Sequence, residues 1–315
     1  MSLAVDLMIE GQEGLTWERW RRLARAAEDG GYHGLFRSDH LTGLAGDAAR
    51  PALDTWASLT WLATATARIR FGPLVSPMTF YHPAILARQA AAVSELSGGR
   101  LDLGIGAGWH DGEHRMFGIP FPALTERMDR LECGARVIRA LWRDGAVTIE
   151  QPYSPLADAQ TTPRPAPGAL PLVIGGRGER RTLRIVAEHA DEWNVTRLTP
   201  EEYPAKLAVL EQHCRAVGRD PATIRRSLMI PLAIGRTPAE VDARRQRAHA
   251  ILPRLPKEAA EWREAGFLHG SPEEVARELR RWEGLGLYRV MLQLLDQEDF
   301  AAIDLFAREV LAAFR

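Results

Sequence analysis

The sequence predicts an α/β protein with the fold of a TIM (β/α)8 barrel, built as one domain over residues 1–315. Two observations favour this fold: short apolar runs alternate with longer amphipathic segments, and eight such apolar runs can be counted along the chain. A chain of 315 residues is also an ordinary length for one barrel around one core. A doubly wound open sheet is the alternative that the same alternation allows.

The first strand is predicted at residues 3–9 and the first helix at residues 16–30, where Thr16 can cap the N-terminus and Gly30-Gly31 can end the helix. The other predicted strands are residues 33–36, 69–75, 101–105, 171–174, 192–195, 226–234 and 288–294. The other predicted helices are residues 53–67, 84–96, 125–142, 179–189, 200–217, 238–252, 272–285 and 299–313.

Two segments interrupt this alternation. Residues 145–168 are rich in proline, threonine and small residues and are too long for an ordinary connection. We interpret residues 145–170 as an insertion over the C-terminal mouth of the barrel, with a hairpin as one form that it can take. Residues 253–270 are a second irregular stretch, which we interpret as a further loop or a lid.

The amino-acid composition restricts the classes of function that the protein can have. Hydrophobic residues are 46% and charged residues 26% of the chain, as in a soluble globular protein. The formal net charge of -1 gives no general attraction to nucleic acid or an anionic membrane. No run of roughly 18 apolar residues predicts a membrane span, and the start lacks the basic leader of a secretory signal. Because Cys133 and Cys214 also lack metal-like or redox-like spacing, we expect a cytoplasmic protein that acts on a small molecule.

The end of the second strand carries the acid–imidazole pair Asp39-His40. In a TIM barrel the catalytic groups lie where strands end and the following loops begin. A histidine can donate or accept a proton near neutral pH, and an adjacent carboxylate can orient its ring. The alternative is a helix-capping aspartate beside a loop histidine.

The third and fourth strands end in small residues and prolines. The segment with Leu74, Val75 and Ser76 can form a bulge beneath a planar ligand or a simple proline turn. Three glycines before Trp109, ending with Gly108, let the backbone approach a flat or charged ligand, although packing alone also explains them. They do not have the GxGxxG spacing of a dinucleotide-binding fingerprint.

The sequence HDGEH follows directly, at residues 110–114. Its HxxEH spacing matches one class of metallopeptidase, in which His110 and His114 would bind zinc beside Glu113. A zinc site also needs a third protein ligand. Histidines at the rim of a pocket are the alternative, and we favour this reading, with no metal and with His110 and Glu113 in a substrate pocket.

The fifth strand runs through a glycine-rich loop into a helix. Gly175, Gly176 and Gly178 allow a loop whose backbone N–H groups converge, and the helix N-terminus adds partial positive charge. Arg177 or the arginines after it can pair with a phosphate. The pattern indicates an anion site, with a glycine turn and solvated arginines as the alternative.

Together these segments resemble the bacterial luciferase-like superfamily, in its branch of coenzyme F-420-dependent oxidoreductases. The resemblance covers nearly the whole chain and is strongest over residues 68–121, where the sequences LSGGR and LGIGAGW are specific to the family. A second strong stretch, IGGRGERRTLRIVAEHADEWN at residues 174–194, is similar to the family's phosphate-binding loop, helix and sixth strand.

The resemblance implies a barrel whose cofactor ring lies across the C-terminal mouth, with the phosphate in the glycine loop. Asp39 and His40 match the family's acidic-His pair near the reactive ring. The Leu74-Val75 bond, followed by Ser76, falls where relatives often have a bulge and a cis peptide behind the ring.

In the same comparison Ala107, Gly108 and Trp109 would flank the ring or the substrate. Trp109 stands where some relatives carry a catalytic glutamate, so no proton-donor role is transferred to it. Arg177 replaces a glycine common in close relatives, and it either adds a phosphate contact or crowds the loop.

The function implied by the resemblance is hydride transfer between F-420, a deazaflavin, and a small organic substrate. His40 would be the general acid/base, Asp39 its partner and Trp109 an aromatic wall. The main alternative is a monooxygenase that uses O2 and reduced FMN, and a zinc hydrolase and a non-catalytic cofactor carrier are two others. A separate enzyme would reduce the cofactor, and relatives suggest a homodimer.

Overall fold

The structure is a computed structural model that describes residues 2–44 and 49–314. Its strands are β1 (Ala4–Ile9), β2 (Gly34–Arg37), β3 (Arg70–Pro73), β4 (Ser76–Pro77), β5 (Leu103–Gly106), β6 (Val147–Ile149), β7 (Leu156–Ala159), β8 (Leu172–Gly175), β9 (Glu192–Thr196), β10 (Arg225–Ile234), β11 (Leu268–Gly270) and β12 (Arg289–Leu294).

The helices lie between these strands in the sequence. They are α1 (Trp17–Gly30), α2 (Thr55–Ala65), α3 (Pro83–Leu96), α4 (Asp111–Met116), α5 (Leu124–Arg143), α6 (Thr182–His189), α7 (Tyr203–Ala216), α8 (Pro238–Ile251), α9 (Ala259–Glu264), α10 (Pro272–Gly284) and α11 (Phe300–Glu309). No helix in the described ranges is both long and apolar enough to cross a membrane.

Parallel strands form a closed barrel in the order β3-β2-β1-β12-β10-β9-β8-β5-β4. Strands β3 and β4 share one position, since β4 pairs with β5 and a parallel bridge between Phe71 and Leu101 joins β3 to the segment before β5. The nine strands therefore fill the positions of a (β/α)8 barrel. This confirms the predicted fold class, and the open-sheet alternative is wrong.

The predicted strand at 69–75 differs in one respect from the observed one. The Leu74–Val75 peptide is cis, and the strand is interrupted there between β3 and β4. The break lies where the family resemblance places a bulge. Leu74 and Val75, the two residues of the break, both line a cavity.

Helix α1 shows how local sequence fixes an element. The hydroxyl of Thr16 accepts a hydrogen bond from the N–H of Arg19, and Gly31 ends the helix at φ 74°, a conformation that glycine adopts without strain. One face of α1 buries Trp20 and Leu23 against the barrel. The predicted cap and stop are both confirmed.

The two irregular segments contain regular structure. Within residues 145–170, β6 and β7 pair as an antiparallel hairpin. Within residues 253–270, α9 leads into β11, which adds to the outside of β10 through the pair Leu232 and Leu268. The second segment is thus anchored to the barrel by strand pairing along its last residues.

Candidate functional site

A cavity of about 540 Å³ opens at the C-terminal ends of the barrel strands, a volume typical of a small-molecule site. Most lining residues lie at a strand end or in the loop that follows it. They include Met8, Glu10, Ser38, His40, Leu74, Val75, Ala107, Gly108, Trp109, Glu113, Gly175, Gly176, Thr182, Asn194, Arg197, Met229, Arg254 and Gln293. The structure therefore brings together residues from every barrel position.

His40 is held by Glu113 at one wall of the cavity. The Nδ1 atom of His40 lies 2.8 Å from Oε1 of Glu113, and the other carboxylate oxygen of Glu113 accepts a 2.9 Å hydrogen bond from the backbone N–H of Leu41. The Glu113 side chain is only 1% exposed. Because a carboxylate is an acceptor, the proton of a neutral His40 ring lies on Nδ1, which leaves Nε2 as the atom for a ligand.

Asp39 was predicted as the partner of His40, and this prediction is wrong. Its carboxylate accepts hydrogen bonds from the hydroxyls of Ser76 and Tyr81 and does not line the cavity. The strand pairing continues past β2, since the N–H of Ser38 donates to Ile9, and successive side chains of an extended segment point in opposite directions. Ser38 and His40 thus face the cavity while Asp39 faces away.

The hydrogen bond to Asp39 also fixes the position of Ser76. It was predicted as a cofactor-binding residue, but its hydroxyl is buried against Asp39, outside the cavity lining. Burial raises the pKa of Asp39 and outweighs the hydrogen bonds from Ser76 and Tyr81. Asp39 and Ser76 therefore anchor the start of β4 to the end of β2.

Trp109 forms part of the cavity wall and is 54% exposed. Its ring meets that of His40 edge-on at 5.7 Å between centroids. The guanidinium carbon of Arg254 lies 5.1 Å from the Trp109 ring centroid. Trp109 thus lines the cavity in contact with an imidazole and a cation, and its role as an aromatic wall stays a prediction.

The zinc interpretation of residues 110–114 does not fit the geometry. Both ring nitrogens of His114 have protein partners, the carbonyl of His110 at 2.7 Å and the hydroxyl of Thr79 at 2.8 Å. Glu113 is committed to His40, and Nδ1 of His110 accepts the backbone N–H of Glu113 at the start of α4. Among described residues no group of three such donors converges on one point.

His110 was predicted in a substrate pocket with Glu113. It caps α4 and is not a lining residue, whereas Glu113 does line the cavity. Burial lowers the pKa of His110, and the nearby His40, His114 and Arg254 add to this, against the opposing charge of Glu113. The neutral ring is the form that can accept the capping hydrogen bond.

Glycines beside the cavity make room for Val75. A Cβ atom on Gly106 would lie 2.6 Å from Cγ2 of Val75, and one on Gly175 would lie 3.0 Å from Cγ1. A Cβ on Gly104 would lie only 2.2 Å from the carbonyl oxygen of Pro73. Close packing of neighbouring strands, one of the two sequence interpretations of the glycines before Trp109, explains Gly104 and Gly106.

The glycine-rich loop after β8 leaves the first turn of α6 without a side-chain cap. Gly175 and Gly176 line the cavity with Thr182, and Cβ atoms on Gly176 and Gly178 would each lie 3.0 Å from the Thr182 side chain. Arg177 and Gly178 are not lining residues. The N–H groups of Gly176 and Leu183 donate to the carbonyls of Asn194 and Gly178, so a cradle for an anion would use the other N–H groups of the loop and the Thr182 hydroxyl.

The arginines of this loop have other partners. Arg181 lies 2.5 Å from Asp129 and 3.4 Å from Glu132 of α5, and Arg177 donates to the carbonyl of Arg197 at 2.8 Å. The predicted phosphate contacts through Arg177 and Arg181 would require these bonds to break. The loop backbone is the better candidate for holding an anion.

Sequence reasoning missed a polar group at the floor of the cavity. The Glu10 carboxylate, directly after β1, accepts hydrogen bonds from the side-chain amides of Gln12 and Gln293. It is buried and lines the cavity without a paired cation among described residues. The signal was available, because Glu10 stands at a strand C-terminus, the place where catalytic groups of a TIM barrel are sought.

A closed parallel barrel with a mixed apolar and polar cavity at its C-terminal mouth defines the class of small-molecule-binding TIM-barrel enzymes. Within that class, the chain belongs to the luciferase-like monooxygenase family, whose family model matches residues 3–289. This confirms the resemblance seen in the sequence and places the protein in a family of oxidoreductases.

Two relatives illustrate the range of the family. An uncharacterized protein of Mycobacterium tuberculosis is 29% identical over 213 residues, 62% of this chain and 74% of that one. The F420-dependent glucose-6-phosphate dehydrogenase of Kineococcus radiotolerans is 31% identical over 219 residues, 68% of this chain and 63% of that enzyme. The chain thus matches less than two thirds of the length of this dehydrogenase.

Solved structures share the fold over the whole chain. An F420-dependent secondary alcohol dehydrogenase in complex with an F420-acetone adduct has a TM-score of 0.84 at 21% identity, with both chains covered completely. EDTA monooxygenase from Chelativorans sp. BNC1 has a TM-score of 0.82 at 18% identity, covering 100% of this chain and 94% of that one. At these identities the likeness shows the barrel and not the reaction.

Proposed function

We propose that this protein transfers a hydride between coenzyme F-420 and a small organic substrate, with His40 as the general acid/base. The observation that carries the proposal is the buried Glu113 carboxylate on Nδ1 of His40, a residue that lines the cavity, so that Nε2 is the ring nitrogen left for a ligand. A carbonyl substrate that receives a hydride also needs a proton on its oxygen, and an oriented imidazole can supply it.

The cavity has surfaces that suit a flat, phosphorylated cofactor. Met8, Leu74, Val75 and Met229 belong to one apolar cluster and line the cavity, so a planar ring can pack on them. The uncapped start of α6 can hold a phosphate. When bound, F-420 would supply or accept the hydride, while the protein would position both reactants and handle the proton.

Each side chain of the proposed site would then have a defined role. Glu113 would hold the His40 ring in one orientation and stabilise the imidazolium that forms when His40 takes a proton from an alcohol. Trp109 would exclude water from one side of His40. Glu10, with two amide donors already on its oxygens, would accept an N–H group of a ligand at the cavity floor.

The favoured cofactor follows from the curated relatives. The dehydrogenases of Kineococcus radiotolerans and Nakamurella multipartita, 31% and 34% identical over their matched segments, are named as F420-dependent. The FMN-dependent monooxygenase alternative is supported by structural neighbours such as EDTA monooxygenase, which share the fold alone. Reduction of the cofactor by a separate enzyme, a homodimer and a cytoplasmic location stay predictions.

Titration of the purified protein with F-420 and with FMN, followed by ligand fluorescence, tests the cofactor. We expect F-420 to bind and FMN to bind weakly, and tight FMN binding with none of F-420 would reverse the proposal. Oxygen uptake with reduced FMN is the companion measurement for the monooxygenase alternative.

Replacement of His40 tests the chemistry. His40→Asn should lower kcat by roughly 10²–10⁴-fold in the reduction of a panel of ketones and imines with reduced F-420, the usual range for a general acid/base. Its affinity for F-420 should change little, because Nε2 and not the cofactor surface is lost. Unchanged turnover in this variant would show that His40 moves no proton.

A further inference from the structure

Among the described residues, two arginines line the cavity without a carboxylate partner. Arg197 follows β9, and Arg254 lies in the segment after α8, so they approach the cavity from different elements. In the described part of the chain, the contact found for the Arg254 guanidinium is the ring of Trp109. Neither arginine forms an ion pair within the described residues.

The two carboxylates among the described lining residues already have hydrogen-bond partners. Glu113 faces His40 and the backbone of Leu41, and Glu10 faces the amides of Gln12 and Gln293. Neither carboxylate forms an ion pair with an arginine. The positive charge at the mouth of the cavity is therefore not neutralised by the described lining residues.

The backbone around Arg197 is held in an unusual conformation. Arg197 has φ 52°, one of two positive values among the described non-glycine residues. This left-handed conformation is unfavourable for a residue with a side chain. The guanidinium of Arg177 binds the Arg197 carbonyl at 2.8 Å and so helps to fix this geometry.

Clustering of like charges at this place is unfavourable in the free protein. Burial lowers the pKa of Arg197, and the charges of Arg254 and Arg177 lower it further. A bound anion would relieve this repulsion, and a guanidinium is well suited to carboxylate and phosphate oxygens because its N–H groups form a planar fork.

The position of Arg254 relates the anion to the reacting group. Trp109 contacts both Arg254 and His40, with 5.1 Å from its ring centroid to the guanidinium carbon and 5.7 Å from its ring centroid to that of the imidazole. A ligand that extends over Trp109 can thus reach both side chains at once. The cradle at the start of α6, by contrast, lies in the loop after β8, beside Thr182.

We infer that the substrate of this protein carries an anionic group, a carboxylate or a phosphate, that Arg254 and Arg197 bind while the reacting carbon lies at His40. The substrate class is then an alcohol or carbonyl compound that also carries an acidic group. The distance between this group and the reacting carbon would be about the width of the Trp109 side chain. This inference rests on the proposed function for the reaction, but the anion site itself does not.

The experiment uses benzoate and its neutral counterpart benzamide as probes, with calorimetric titration of the cofactor-free protein. Benzoate should bind at least about tenfold more tightly, as expected for a charge-assisted pair with a guanidinium. Arg254→Gln and Arg197→Gln should each remove most of this preference. Arg308→Gln is the control, because this exposed residue of α11 pairs with Asp304 and its loss changes the net charge equally.

Equal binding of benzoate and benzamide, or a preference that survives in both variants, would overturn the inference. A second arm separates the substrate from the anionic tail of F-420. With F-420 bound first, benzoate should still bind, and both variants should keep the wild-type affinity for F-420. Exclusion of benzoate by F-420, together with weaker F-420 binding in the variants, would assign the arginines to the cofactor and overturn the substrate class.

The two proposals fail in different measurements. The first arm contains no cofactor, so an incorrect cofactor assignment leaves the benzoate preference unchanged. If FMN proves to be the cofactor, the second arm is run with FMN. Loss of the anion preference, in turn, leaves the F-420 titration unaffected.

Discussion

The two ends of the barrel carry many charged residues but use them in opposite ways. At the N-terminal end, Arg289 is fully buried and lies 2.8 Å from Glu192, 2.9 Å from Asp102 and 3.3 Å from Asp6. Arg70 and Arg225 add further bridges to Asp102 and Glu192. At the C-terminal end, Arg197 and Arg254 face a cavity with no ion-pair partner in the described ranges.

This difference separates stability from function. At the N-terminal end, the charges are buried and paired with one another inside the protein, so they hold that end of the barrel together. Charges and polar atoms at the other end are oriented but incompletely paired, as for His40 and its Nε2 atom. In TIM barrels the ends of the strands at the C-terminal face carry the chemistry, and the opposite face contributes to stability.

The largest expected effect on stability is at the N-terminal end of the barrel. Arg289→Met leaves three buried carboxylates without their shared cation, and we expect the free energy of unfolding to fall by roughly 3–5 kcal/mol in urea titrations. The exposed pair of Arg308 is the control, since Arg308→Met should cost less than about 1 kcal/mol. Equal losses in the two variants would mean that the buried cluster contributes no more than a surface pair.

An intermediate effect is expected from the two carboxylates near His40. Glu113→Gln removes the charge that faces Nδ1, so kcat should fall by roughly tenfold or more, part of the 10²–10⁴-fold range of general acid/base catalysis. Asp39→Asn should leave kcat within a few-fold of the wild type, because Asp39 is hydrogen-bonded to Ser76 and Tyr81 and does not line the cavity.

Steady-state kinetics with reduced cofactor, separating kcat from KM, distinguishes these variants. A larger loss of kcat in Asp39→Asn than in Glu113→Gln would restore the sequence-based assignment of Asp39 as the partner of His40. Cofactor affinity should be the more sensitive property in Asp39→Asn, since Asp39 anchors Ser76 behind the cavity.

The smallest effect concerns stability against pH. The pKa of His110 is lowered in the folded protein, chiefly by burial, so below about pH 6.5 the unfolded chain binds a proton that the folded chain does not. Stability should therefore start to fall as the pH drops through this range. His110→Asn should reduce the slope of the unfolding free energy between pH 7 and pH 5.

The buried charges at the N-terminal end of the barrel affect stability in a lower pH range. Burial opposes ionisation of Asp102, but Arg289 and Arg70 outweigh it and hold the pKa of Asp102 below its ordinary value. The stability that this carboxylate contributes is present above about pH 4 and is lost as the pH falls further.

The His110 prediction has its own contradicting outcome. If the pH dependence of stability between pH 7 and pH 5 is the same in His110→Asn and the wild type, His110 is not the group that titrates in this range.

The sequence by itself determined the order of the barrel strands and the long helices, the cap and stop of α1 and the strand ends at which the site forms, but it did not predict α9 and β11. These features depend on short-range patterns, namely apolar periodicity, capping residues and glycine stops. The resemblance to the luciferase-like family was also present in the sequence, in continuous segments such as residues 174–194.

Only the tertiary structure decided which side chains meet. Asp39 and His40 are neighbours in the sequence but face opposite sides of one extended segment, whereas His40 and Glu113 lie 73 positions apart and share a hydrogen bond. In the same way Arg197 and Arg254 reach one cavity from separate elements. Closure of the barrel brings distant strand ends together, and this contact depends on register and side-chain direction, which no local pattern in the sequence specifies.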